Sequence, residues 1–106
     1  MQEELSHDHL QRLNELERVV RVTDANYTAR YGDDIILVTV TSTSRALVLT
    51  APRGGLRVTV VKRGGGGNLT ITAAGGALIN GAASYSLTGN YAPLRFKAIG
   101  GEYISV

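Results

Sequence analysis

Leu56-Arg57-Val58-Thr59-Val60-Val61-Lys62-Arg63-Gly64-Gly65-Gly66-Gly67-Asn68-Leu69-Thr70-Ile71-Thr72 is the stretch on which the fold is decided. From Leu56 to Val60, apolar and polar side chains alternate one by one, and they do so again from Leu69 to Thr72. Successive side chains of an extended strand point to opposite faces, so each run reads as a strand with one dry and one wet side. Between them lie four glycines and an asparagine, residues that tolerate the backbone angles of turns. The run predicts two strands joined by a flexible hairpin loop.

Working outward, the same grammar holds from residue 22 to the end. Apolar, β-branched runs at 26–30, 34–40, 45–50, 84–88, 91–98 and 102–106 join 56–63 and 68–73 as strands. Leu94-Arg95-Phe96-Lys97 alternates as cleanly as the opening stretch. Turn residues separate the runs at Gly32-Asp33-Asp34, Arg53-Gly54-Gly55, Gly75-Gly76, Gly89-Asn90 and Gly100-Gly101. Links this short favour antiparallel pairing, because parallel neighbours need a long crossover. The expectation for 22–106 is a mainly β domain, an antiparallel β-sandwich or small barrel of about eight short strands.

Ahead of it, residues 2–21 carry a helical pattern. Leu10, Leu13, Leu16 and Val20 recur at spacings of three and four, and no Gly or Pro occurs before Gly32. That spacing predicts one N-terminal α-helix with an apolar stripe, in an assembly arm over 1–21. A helix of this length is marginal alone, so Leu10, Leu13, Leu16 and Val20 are expected to face the β-domain or identical helices of other copies. Charge divides along the same line. Residues 1–34 hold eight acids against four bases, and residues 35–106 hold seven bases against Glu102. The basic body would be drawn to an acidic partner surface.

Little in the chain suggests catalysis. The 106 residues contain no Cys and only two His, His7 and His9. Positions i and i+2 do not share a helix face, which disfavours a helical metal pair. Asp33 and Asp34 follow Gly32 directly before an apolar run, where turn-forming aspartates belong. Ser and Thr are abundant, but the β-domain has no His to activate one. Lys62 to Asn68 lacks the Lys-Ser/Thr and the following helix of a phosphate-binding loop. No nucleic-acid-binding motif occurs. The expectations are no enzyme activity, no cofactor, no metal site and no nucleic acid. No apolar run approaches the ~20 residues of a membrane-spanning helix, and the acidic start is unlike a secretory leader.

From Val19 onward the chain resembles a small β-domain that recurs in structural proteins of tailed bacteriophages. The likeness is carried by Tyr27-Thr28-Ala29, Asp33 to Val38, Ala46 to Pro52, Val58 to Arg63, Gly67 to Ile71 and Ile79-Asn80-Gly81-Ala82-Ala83-Ser84-Tyr85-Ser86-Leu87. It departs at Glu102, where such domains commonly carry Trp. The resemblance implies a virion structural role, commonly as a homotrimer, and transfers no site residues. With one arm and one β-domain, the chain best fits a capsid decoration (cement) protein that binds the major capsid protein or another virion protein. The alternatives are a head-fibre, neck or tail-fibre component, or a carbohydrate-binding module using Tyr27, Tyr31, Tyr85, Tyr91 and Tyr103. Three of these rings clustered on one exposed face would favour sugar binding.

Overall fold

The computed structural model describes residues 18–91 and 93–106. Nine strands form two sheets: β1 (Val19–Thr23), β2 (Tyr27–Thr28), β3 (Ile35–Thr39), β4 (Arg45–Leu49), β5 (Arg57–Arg63), β6 (Leu69–Ala73), β7 (Tyr85–Leu87), β8 (Leu94–Ile99) and β9 (Glu102–Ser105). One sheet has the order β1-β3-β5-β8-β9 and the other β2-β4-β6-β7. All eight runs expected from the alternating pattern contain a strand. The chain is mainly β, as expected, but it is not an antiparallel sandwich.

Through β6, consecutive strands switch sheets, so each pairs with the strand two places on. β1, β3 and β5 are parallel, as are β2, β4 and β6. The crossover that parallel pairing demands is supplied by a strand of the opposite sheet. Ile35 pairs with Thr59 and Arg45 with Leu69, the same 24-residue step in both sheets. The chain therefore winds as stacked coils, a short β-solenoid, before β7, β8 and β9 turn back antiparallel and close one end. At the other end β1 and β2 are the edge strands.

The first strand corrects a second expectation. Val19–Thr23 is extended and pairs in register with Ile35–Thr39, so the helix expected over 2–21 does not continue through Val20. Val19, Val20 and Val22 are β-branched and suit a pleated surface better than a helix. The rest of the predicted arm, with Leu10, Leu13 and Leu16, lies outside the described residues.

Inward side chains of the two sheets meet in one core that includes Ile36, Val38, Leu47, Leu49, Val60, Leu69, Ile71 and Phe96. Phe96 packs edge-on against Tyr85 and Tyr103, with ring centroids 6.0 and 6.3 Å apart. Fully burying aliphatic or aromatic side chains of this size contributes about 1.5–3 kcal/mol each.

The glycine run is a stacked corner rather than a free hairpin loop. Gly64 has φ +92, and a Cβ there would lie 2.3 Å from the Val40 carbonyl oxygen. A Cβ on Gly66 would lie 1.6 Å from the Thr41 oxygen, and one on Gly67 2.6 Å from the Ser44 nitrogen. Only glycine lets the 64–67 backbone lie this close to residues 40–44 of the preceding coil. Polar side chains tie the corners from coil to coil. Asn26 Oδ1 accepts from Ala46 N at 3.0 Å, and Ser44 Oγ accepts from Asn68 N at 3.0 Å. Lys62, buried at an inward position, donates to Gly64 O at 2.7 Å and to Asn90 Oδ1 at 2.8 Å, joining the corner to the β7–β8 turn.

Candidate functional site

A cleft at one corner gathers several polar side chains. Ala29 to Asp34, Leu49, Thr50, Leu56 to Val58 and Tyr103 line it, and it encloses about 50 Å³. That admits a few waters, whereas pockets for small molecules run to roughly 300–1,000 Å³. Its polar groups are spoken for. Asp33 accepts from the Tyr27 hydroxyl at 2.7 Å and from Arg30 N at 2.9 Å. Burial and the Asp33 carboxylate both push the Tyr27 hydroxyl above its ordinary pKa. The Tyr103 hydroxyl donates to Thr50 O at 3.0 Å, and burial raises its pKa too. Asp34 accepts from Arg18 N at 3.0 Å. Asp33 thus plays the turn role read from the sequence, bonding Arg30 three residues back, whereas Asp34 ties the segment before β1 to the start of β3.

The tyrosines do not gather. Tyr85 and Tyr103 pack on Phe96, Tyr27 is tied to Asp33, Tyr31 lies under Arg53, and Tyr91 follows the β7–β8 turn. Only Tyr31 and Tyr91 are exposed. Tyr31 donates to Ala51 O at 2.9 Å, whereas Tyr91 N bonds Lys62 O. No exposed face presents three rings.

What remains are the two outer sheet faces. In the four-stranded sheet the side chains alternating with the buried ones are Thr28, Ala46, Val48, Thr70, Thr72 and Ser86. Pairing sets Thr28, Val48 and Thr72 in one row and Ala46, Thr70 and Ser86 in the next. All six are small and uncharged. In the five-stranded sheet the outward positions include Arg21, Arg57, Arg63, Arg95 and Lys97, with Val19, Ile35, Leu37, Val61, Ile99 and Ile104 among them. Arg57 lies directly opposite Lys97. Glu102 is the one carboxylate at the outward positions of the described strands, and its Oε1 accepts from Gly81 N at 3.2 Å, fastening the 79–82 turn to β9.

Of the interface residues expected from sequence, Leu10, Leu13 and Leu16 are outside the described residues. Val20 is on β1, paired with Ile36 and directed to the core side of an edge strand. The sequence showed a basic body but not the face on which its bases gather, and it did not single out the neutral face. The signal of both faces was present in the alternation, Arg95 and Lys97 against Thr70 and Thr72, but the pairing that assembles them was not. No protein-family model, no curated protein and no solved structure matches this chain.

Proposed function

We propose that this chain is a non-enzymatic structural module that packs against copies of itself and attaches to a larger particle. The particle is a phage head, on which the protein acts as a decoration (cement) protein, in keeping with the resemblance of residues 19–106 to virion β-domains. One observation carries the self-assembly half of this reading: the outer face of the four-stranded sheet is uncharged and built of small side chains. In a symmetric dimer the same patch meets itself, and in a ring a patch meets a second patch on its neighbour. A basic patch facing its own copy is repelled, whereas Thr28, Ala46, Val48, Thr70, Thr72 and Ser86 bring neither charge nor bulk to such a contact. A homotrimer would present several weak particle contacts at once and gain from effective concentration.

The fibre reading has a specific point in its favour. The coils stack in parallel, with a 24-residue step from β3 to β5 and from β4 to β6, and β1 and β2 are edge strands at one end of the described sheets. Solenoid ends of this kind accept further strands or caps.

The test is to add purified protein to undecorated heads. The reading expects stoichiometric binding and a higher temperature of head disruption, since a partner that binds only the folded, assembled state stabilises it. Binding confined to necks or tails would move the assignment to the fibre reading. Binding to no part of the particle would remove the virion role.

A further inference from the structure

We propose that the outer face of the five-stranded sheet is a docking surface for a carboxylate-rich surface of a partner protein. The inference deepens the assembly reading above and rests on it for the several copies that a stable contact needs.

The face carries opposed cations. Arg57 and Lys97 are cross-strand partners, and Arg95 is the next outward residue on the strand of Lys97. Like charges directly opposite each other destabilise a sheet. Among the described residues no carboxylate forms an ion pair with these cations. The four acids of residues 18–106 are engaged by main-chain N–H and hydroxyl groups. Asp24 is held by Thr41, Asp33 by Tyr27 and Arg30 N, Asp34 by Arg18 N, and Glu102 by Gly81 N. Asp33 and Asp34 border the same cleft as Arg57 but are occupied in this way. A cluster of opposed cations with no ion-pair partner among the described residues is complementary to carboxylates arriving from outside.

The apolar part of the face suits a protein partner better than a nucleic acid. Ile35, Leu37 and Val61 are half-buried in the middle of the face, with Val19 and Ile99 each about half exposed towards its margins. An aliphatic centre with arginines around it is the composition of a protein–protein contact. The outward positions of β1, β3, β5, β8 and β9 include no aromatic ring, and base stacking on rings is what single-stranded nucleic acid binders use. Five strands spaced ~4.8 Å apart and five residues long give a face of roughly 400 Å². That is about half the ~800 Å² per partner of a standard interface. One copy would therefore dock weakly, and avidity from several copies would make attachment firm.

The probe is labelled poly-L-glutamate, titrated into the intact protein and compared with oligothymidylate of matched charge. The proposal expects poly-L-glutamate to bind the more tightly, with affinity falling as salt rises. Replacing Arg95→Glu together with Lys97→Glu should weaken binding about tenfold or more, while Arg45→Gln, on β4 of the opposite sheet, should leave it unchanged. If the double reversal misfolds by circular dichroism, Arg95→Gln with Lys97→Gln takes its place. Tighter binding of oligothymidylate, no binding of poly-L-glutamate, or indifference to the double variant would overturn the proposal. Sedimentation of the same samples keeps the two readings apart. A monomer that binds poly-L-glutamate removes self-assembly and leaves this surface standing, and an oligomer that ignores it does the reverse.

Discussion

The two outer faces of the solenoid come from one backbone pattern and differ in almost every chemical respect. On the four-stranded side the outward rows read Thr28, Val48, Thr72 and Ala46, Thr70, Ser86. On the five-stranded side Arg57 confronts Lys97, with Arg21, Arg63 and Arg95 on the same surface. Threonine and valine suit a sheet surface, and uncharged small side chains also suit contact with an identical face. Opposed cations suit neither. The first face is therefore consistent with both folding and self-contact, whereas the second carries a cost that no carboxylate among the described residues offsets. The neutral face can meet a copy of itself, and the basic face needs a partner of opposite sign.

The comparison breaks most completely if the coils come apart, because both faces depend on the stack. Gly66→Ala would place a methyl group 1.6 Å from the Thr41 oxygen, against backbone that cannot swing away. Overpacking typically costs about 1–3 kcal/mol and here should reach the top of that range or beyond. Chemical denaturation should show the loss. Gly54→Ala, in open space, is the control expected to stay near wild type.

A smaller effect tests the opposite rung of the same corner. Asp24, with φ 49, accepts from Thr41 N at 2.8 Å and from the Thr41 hydroxyl at 2.6 Å. These bonds hold its carboxyl below the usual carboxylate range. A group with a depressed folded pKa stabilises the fold above its unfolded value, and that contribution disappears as pH falls through the folded one. Melting temperature should therefore decline on acidification below about pH 4, and Asp24→Asn should flatten that part of the profile. An identical acid response in the variant would show that the corner does not depend on this carboxylate.

The smallest effect sharpens the contrast between the faces. Arg57→Thr removes one of two opposed cations and should raise stability by a few tenths of a kcal/mol at low salt. The gain should fade as salt is added. A destabilised Arg57→Thr would mean that the guanidinium is already compensated.

Much of this was written in the sequence, and its limits have a physical cause. Alternation in 56–63 and 69–73 reports which side chains share a face, and those faces appeared as expected. Alternation cannot report which strand lies alongside, because parallel and antiparallel neighbours present the same period. The parallel winding did leave a trace. Buried Ile36, Leu47 and Leu49 recur 24 residues on as Val60, Ile71 and Ala73, a self-similarity that marks a solenoid when it is sought. Gly64 to Gly67 read as looseness, although what demands glycine there is the neighbouring coil. Val19 to Val22 was absorbed into a helical spacing because Val20 falls four residues after Leu16. The basic cluster depended on pairing most of all, since Arg57 and Lys97 are far apart in the chain and become neighbours only through the antiparallel return of β8.

The most direct test is the native mass of the wild-type protein beside that of Val48→Arg, which sets one charge in the middle of the neutral face. The account predicts a multiple of the 11.3 kDa chain for wild type, reduced to the monomer in a variant that stays folded. A monomeric wild type, or an unchanged oligomer in Val48→Arg, would contradict the assignment of that face to self-assembly.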